Sequence, residues 1–358
     1  MRVAVVLGTR PEIIKMSPII RELKRRQLDF FIIHTGQHYE YEMNGSFFKD
    51  LELPKPDFNL GVGSGSHAEQ TAKIMVGVEK VLVEEEPDVT LVEGDTNTVA
   101  GGALVASKLH LKLGHVEAGL RSGDMRMPEE INRIVADHVS DHLFAPTETS
   151  RGNLLREGID KGKIFVTGNT VVDAAKQNLK LSMRRDFPSE LGVGPGTYFL
   201  ATLHRAENVD DRAVFKGLLA ALRDSQREFS LPVIFPVHPR TQKMINEYGL
   251  STEGITAINP IGYLEFLLLE SMARLVLTDS GGVQEEACCL GVPCVTLREN
   301  TERPEAIEVG ANVVAGRRPK KILASARKML EAKRGWANPY GDGTAAVQIV
   351  DILRGIYG

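Results

Sequence analysis

The chain has 358 residues, 42% of them hydrophobic and 25% charged. That is enough to bury a sizeable core, and since single cores stop growing near roughly 250–300 residues, two domains are expected. A net charge of −4 excludes a general nucleic-acid binder, whose surface would be basic, and no apolar run approaches the roughly 18 residues of a membrane-spanning helix.

The first element, residues 2–7 (RVAVVL), is a β-rich apolar run. It is too short for a signal-peptide core and is expected as a buried strand. It runs into Gly8-Thr9-Arg10-Pro11-Glu12-Ile13-Ile14-Lys15, where Pro11 suits the first position of a helix over 11–26. Ile13, Met16, Ile20 and Leu23 recur there at helical spacing. Arg10 and Lys15 place two cations at a helix N-terminus, whose amides also favour anions, so a phosphate-type site is predicted. The G-x-G-x-x-G of a dinucleotide site is absent from this junction. A second strand follows at 30–34. Gly61-x-Gly63-x-Gly65 reads as a loop before a helix over 67–86, which carries Ile74, Val78, Val81 and Leu82 on one face.

The next strand, 89–92, ends in Glu93-Gly94-Asp95-Thr96-Asn97, and a helix is expected near 98–111. The strand near 114–117 ends in Glu117-Ala118-Gly119-Leu120-Arg121, and Met127-Pro128-Glu129-Glu130 opens a helix over 128–140. Asp95, Glu117 and one of Glu129 or Glu130 therefore fall at one edge of the first sheet. Crowding and desolvation push the pKa values of converging carboxylates apart, which suits acid–base work. His115 is expected as a structural polar residue of its strand, because His115-x-Glu117 lacks a further set of metal ligands. Strands at 143–145 and 164–167 and a helix at 147–157 complete the alternation of a doubly wound parallel sheet.

The Pro- and Gly-containing stretch 184–196 breaks that rhythm and is expected near a domain boundary. A second series has strands at 198–201, 233–237, 276–278 and 294–297. The first of these leads into Leu203-His204-Arg205-Ala206-Glu207, so His204 is expected at a strand's carboxyl end. The third leads into Asp279-Ser280-Gly281-Gly282-Val283-Gln284-Glu285-Glu286. There Ser280 can cap a helix, the two glycines let a phosphate approach backbone amides, and Glu286 can accept from both hydroxyls of a ribose. Thr301-Glu302-Arg303-Pro304-Glu305 adds a cation before another helix. Cys288, Cys289 and Cys294 form no C-x-x-C pair; they read as small buried residues of a protein from the reducing cytosol. A turn-rich stretch, 338–343, precedes a last helix over 344–356. The whole reads as two α/β units with a crevice between them, the polar residues lying just beyond the strands, where such sheets bind ligands.

Several strings together resemble the non-hydrolysing UDP-N-acetylglucosamine 2-epimerases: GTRPEIIKMSP (8–18), EGDTNT (93–98), GHVEAGLRSGD (114–124), PEEINR (128–133), FAPTETSRGNLL (144–155), VTGNTVVDA (166–174), DSGGVQEEA (279–287) and TERPEA (301–306). The resemblance implies a glycosyltransferase-B fold, two Rossmann-like domains facing a central crevice. The first would span 1–169 with the returning helix 345–358 and hold the acids; the second, 170–344, would bind UDP. It implies acid–base roles for Asp95, Glu117 and Glu129, with His204 near the diphosphate. It further implies substrate contacts from Arg10, Lys15, Ser280, Gly281, Gly282, Glu286 and Arg303, with Phe266 near uracil. Gln37 and His38 match part of a second, regulatory sugar-nucleotide site, although Tyr39 and Glu40 depart from the family's Gln-His-Arg. Ala206 likewise replaces the second arginine of the family's His-Arg-Arg-Glu. A homodimer is implied.

The expected reaction expels UDP from C1, so that a carboxylate can remove the C2 proton, giving 2-acetamidoglucal and UDP. Reprotonation on the other face and re-addition of UDP give UDP-N-acetylmannosamine. The expected partners are thus UDP-N-acetylglucosamine and UDP-N-acetylmannosamine, with no metal, other cofactor, nucleic acid or membrane involved, in the cytoplasm. The alternative is a hydrolysing relative that releases N-acetylmannosamine and UDP. Arg10-Pro11-Glu12 favours the non-hydrolysing branch, since hydrolysing relatives usually read Arg-Ala-Asp/Glu there.

Overall fold

Runs of consecutive apolar residues such as RVAVVL and VTLVE suit strands covered on both faces, and such strands build two all-parallel sheets. The computed structural model describes residues 1–37 and 47–358. One sheet contains β1 (Arg2–Leu7), β2 (Asp29–His34), β3 (Phe58–Asn59), β4 (Val89–Glu93), β5 (Lys112–Val116), β6 (His142–Ala145) and β7 (Ile164–Val166), in the order β3-β2-β1-β4-β5-β6-β7. The other contains β8 (Phe199–Thr202), β9 (Val233–Pro236), β10 (Thr256–Ile258), β11 (Leu275–Thr278), β12 (Cys294–Thr296) and β13 (Asn312–Val314), in the order β10-β9-β8-β11-β12-β13. The fold class is α/β, as the alternation of strands and helices required. The expected strands lie within a few residues of their predicted bounds. β3, β10 and β13 were not expected: each is a sheet-edge strand of two or three residues, too short to carry a periodic signal.

In both sheets the winding direction reverses once, between β1 and β4 and between β8 and β11. In open α/β sheets ligands bind beyond the carboxyl ends of the strands at such a switch point.

The chain divides into one unit of Met1–Ala174 with Tyr340–Gly358 and another of Ala175–Pro339. The division falls inside the helix Thr170–Ser182, upstream of the Pro/Gly-containing stretch at 184–196. Asp173 of that helix caps the returning C-terminal helix Ala345–Tyr357, accepting the amides of Ala345 (3.3 Å) and Ala346 (3.0 Å). Burial raises the Asp173 carboxyl to about 6.

The pleat explains how the second unit's sheet is filled on both sides. Phe199, Ala201 and Leu203 share one core with Leu275 and Leu277, while Tyr198 and Leu200 share the opposite core with Val276 and Cys294. Alternate residues of one strand therefore serve opposite layers. In the first unit the helix Arg10–Arg25 carries Pro18 in its interior. Proline has no N–H to give the carbonyl four residues back; the Ser17 hydroxyl donates to that Ile14 carbonyl instead, at 2.8 Å.

Candidate active site

The turn after β1 packs tightly onto its neighbours. A Cβ on Gly8 would lie 2.0 Å from the Thr35 hydroxyl oxygen and 2.4 Å from that of Thr98, so only glycine fits. One oxygen of the Glu12 carboxylate accepts the amides of Gly8 (2.5 Å) and Thr9 (2.9 Å), and the other accepts the Thr96 hydroxyl. Glu12 thereby ties the turn after β1 to the turn after β4. Burial raises its pKa to about 7, against the opposing effect of those hydrogen bonds.

A titration effect follows from Glu12. A carboxyl whose folded pKa exceeds its unfolded value contributes stability at low pH that is lost as pH rises through the folded pKa. Between pH 4.5 and 7 the wild type should therefore lose stability relative to Glu12→Gln, by on the order of 3 kcal/mol. The glutamine keeps an oxygen for both amides but does not ionise. Urea denaturation across this pH range measures the difference; parallel pH profiles would show that Glu12 does not titrate there.

Beyond β4 and β5 the acids converge. The Lys15 ammonium lies 3.2 Å from Glu93 and 2.5 Å from Glu117, and the Asn169 amide donates to Glu117 at 3.1 Å. Lys15 thus spends its charge on two buried carboxylates, whereas Arg10 is exposed at the start of its helix. Burial holds the Glu93 carboxyl well above its ordinary range; Lys15 opposes that shift, while Glu117 and Glu12 add to it. Glu117 adopts a left-handed backbone, φ 68°. A non-glycine residue there costs on the order of 1 kcal/mol or more, and such strain gathers at functional sites.

The helix Pro128–Val139 supplies the next layer. The Glu130 carboxylate accepts the amides of Ser122 and Gly123 and the Arg133 guanidinium. Arg133 also reaches Asp95 at 2.5 Å, and the Asn132 amide donates to the Asp95 carbonyl at 2.9 Å. Glu130 is therefore occupied in holding the 122–123 turn, whereas its neighbour Glu129 is half-exposed. The sequence left the two as alternatives; the structure gives them different surroundings. His115 is fully buried and bonded through both ring nitrogens, a structural position as expected.

In the second unit the organising group is Asp279, fully buried at the end of β11. It accepts the amides of His204 (3.0 Å) and Arg205 (3.0 Å) and the Asn208 side chain (3.0 Å), joining the loops after β8 and β11 at the switch point. The His204 ring turns Nδ1 toward Asp279 at 3.3 Å, which leaves Nε2 for a ligand. Burial lowers the His204 pKa, partly offset by Asp279.

Ser280 stands at the N-cap of the helix Gly281–Leu290, but its side chain makes no capping bond, contrary to the expected cap. A Cβ at Gly282 would meet nothing within 4 Å, and at Gly281 only Glu302, 3.9 Å away. Neither packing nor a positive φ calls for glycine here, and the space beside both glycines is open. Glu286 is buried one turn on and accepts the Tyr263 hydroxyl at 3.0 Å. Phe266, half-buried, packs against the buried apolar layer that includes Leu200, Leu269 and Val276, as Ile258 and Ile261 do. Arg303 is buried and paired with Glu285 at 2.8 Å, so it fastens the segment before Pro304 to the helix carrying Glu286.

Gln37 is wired into the first unit: its carbonyl accepts from Gln70 at 3.0 Å and its side chain from Thr98 at 3.0 Å. His38 lies outside the described residues. Sequence reasoning missed Glu12, Glu93, Arg133, Asp137, Asn169, Asn208 and Asp279 as organising groups. For Glu93 and Asp279 a signal existed, an acid set directly at the end of a buried apolar strand.

Comparison with known proteins adds a further set of observations. The family model for UDP-N-acetylglucosamine 2-epimerase matches residues 21–354. A UDP-N-acetylglucosamine 2-epimerase of Methanocaldococcus jannaschii is 53% identical over 362 residues, covering 99% of this chain and 99% of that protein. A crystal structure of the M. jannaschii UDP-GlcNAc 2-epimerase in complex with UDP-GlcNAc and UDP matches with a TM-score of 0.91, covering 100% of both chains at 53% identity. A UDP-2,3-diacetamido-2,3-dideoxy-D-glucuronate 2-epimerase of Pseudomonas aeruginosa is 43% identical over 357 residues, covering 99% of each chain.

Proposed function

The chain belongs to the UDP-N-acetylglucosamine 2-epimerase family, and from that premise we propose that it interconverts UDP-N-acetylglucosamine and UDP-N-acetylmannosamine by elimination and re-addition of UDP. It is an isomerase. The observation that carries the mechanism is the meeting of Lys15 with the buried carboxylates Glu93 and Glu117 beyond β4 and β5, while Asp95, two residues past Glu93, is held by Arg133. C2 of the substrate has no adjacent carbonyl, so its hydrogen becomes removable only once positive charge develops at C1. In the forward direction the C1–oxygen bond breaks and its electron pair leaves with UDP. A carboxylate takes the C2 proton, and the C–H electrons form the C1–C2 double bond of 2-acetamidoglucal. A proton then enters C2 from the opposite face, and the diphosphate oxygen returns to C1.

Asp95, Glu117 and Glu129 serve the two proton transfers, which must reach both faces of C2. Lys15 keeps Glu117 in place and offsets the charge gathered there. His204 and the amides at Ser280–Gly282 stabilise the departing diphosphate, with Arg10 on the same task. Glu286 takes the ribose hydroxyls, Phe266 lies by the uracil, and Arg303 holds this segment in place. Gln37 with His38 would form the regulatory site.

Proton NMR of the products tests the reading. Incubation with UDP-N-acetylglucosamine should give the manno epimer with UDP still attached; free N-acetylmannosamine would indicate hydrolysis instead. The P. aeruginosa relative favours a second reading, the same C2 inversion on a 2,3-diacetamido uronate. Turnover of that substrate alone would select it.

A cytoplasmic site of action belongs to the proposal, supported by the free thiols Cys288, Cys289 and Cys294. So does a homodimer. Val76 and Val83, 70% and 57% exposed on the helix His67–Glu85, stand one heptad apart on one face and are the apolar contacts such an interface would use. Val76→Glu with Val83→Glu should halve the mass measured by sedimentation; an unchanged mass would place any interface elsewhere.

A further inference from the structure

The three acids proposed for catalysis come from three separate segments: the turn after β4, the turn after β5, and the start of the helix Pro128–Val139. One buried pair touches all three. The His115 ring is fully buried, as is the Asp137 carboxylate. Nε2 of His115 donates to the Gly94 carbonyl at 2.9 Å, and Gly94 immediately precedes Asp95. Nδ1 of the same ring meets Asp137 Oδ1 at 2.7 Å. The other oxygen of Asp137 accepts the Gly119 amide at 3.2 Å, two residues past Glu117, and the Arg121 guanidinium at 2.8 Å. Asp137 itself lies on the helix Pro128–Val139, which carries Glu129 in its first turn and Arg133, the partner of Asp95.

We infer that His115 and Asp137 are positioning residues that hold Asp95, Glu117 and Glu129 in one constellation through the Gly94 carbonyl, the Gly119 amide and the shared helix. The inference rests on the proposed elimination mechanism. The ring bridges two segments, bonded through one nitrogen to a backbone carbonyl and through the other to a carboxylate that already accepts from an amide and a guanidinium. Fold stability alone does not call for such a pair, because two buried hydrogen-bonded partners can be replaced together by apolar groups of the same shape almost without loss. What apolar groups could not replace are the two directed bonds to Gly94 and Gly119. Those glycines have positive φ, 86° and 83°, and a Cβ on Gly119 would lie 2.4 Å from the Ser150 carbonyl oxygen, so the second turn is also confined sterically. The pair fixes the peptide planes on which the acids stand, without touching substrate.

The test uses His115→Gln and Asp137→Asn in the full chain, with steady-state kinetics and quantification of released 2-acetamidoglucal per epimerisation. Misplacing catalytic groups by about 1 Å can cost about 10²-fold, so kcat should fall by about 10–100-fold while KM changes by less than about threefold, since the diphosphate is held elsewhere. The released fraction of 2-acetamidoglucal should rise, because elimination then outpaces reprotonation. A role in folding alone would lower the amount of active enzyme and leave that fraction unchanged. Arg121→Gln, at the rim of the network, should show the same pattern more weakly and carries the test if the first two variants do not fold. Variants with wild-type kcat and release, or failure of all three to fold, would overturn the inference. Absence of C2 inversion by the wild type would instead overturn the proposed function.

Discussion

Replacing Glu117 by Gln is expected to lower C2 inversion by about 10²–10⁴-fold, the usual contribution of a general acid–base group, with substrate affinity little changed. Glu117 is buried and strained at φ 68°, and its carboxylate is engaged by Lys15 and Asn169. Gln keeps the shape and an oxygen for both donors but cannot carry a proton to or from C2. Asp95→Asn and Glu129→Gln should act in the same direction. Turnover of the wild type in heavy water should place deuterium at C2 of the product epimer, because the proton passes through a group that exchanges with solvent. His204→Ala should slow both directions through the departing UDP. Product retaining protium at C2, or near-wild-type rates in all three carboxylate variants, would mean that the chemistry lies elsewhere.

The largest loss of stability is expected from Asp279→Ala. This carboxylate is fully buried and receives the amides of His204 and Arg205 and the side chain of Asn208; Asn208 also donates to the Leu297 carbonyl at 2.9 Å. Alanine leaves three N–H groups without this acceptor at the switch point. Each unsatisfied buried donor costs about 1–3 kcal/mol, so a total of about 3–9 kcal/mol is expected for the three, against the 5–15 kcal/mol of a typical domain. Denaturant unfolding should show the second unit melting first, and added UDP should raise the melting temperature of the variant less than that of the wild type. Asp279→Asn, which keeps one acceptor oxygen, should fall between the two. A melting temperature within a few degrees of wild type for the alanine variant would show that the donors find water or other partners.

The sequence by itself determined the fold class and the neighbourhood of the site. Strands buried on both faces are written as unbroken apolar runs, amphipathic helices as a 3.6-residue period, and in a parallel sheet the polar residues that follow a strand necessarily gather at one edge. Asp95, Glu117, His204 and Ser280–Gly282 could therefore be placed after their strands from the chain alone, and the joined motifs gave the family. Only the tertiary structure decided which charges meet. Lys15 and Glu117 are 102 residues apart, and nothing local to Lys15 tells a phosphate partner from a carboxylate one. Glu129 and Glu130 have the same chemistry in sequence, yet the helix turns one toward the amides of Ser122 and Gly123 and leaves the other half-exposed. His115 reads as an ordinary polar strand residue until the sheet brings Gly94 to one of its nitrogens and the helix brings Asp137 to the other. Local pattern is set by backbone period and burial, which act over a few residues; the pairing of buried polar groups is set by which segments the fold brings within about 3 Å, and no short stretch of the chain contains that information.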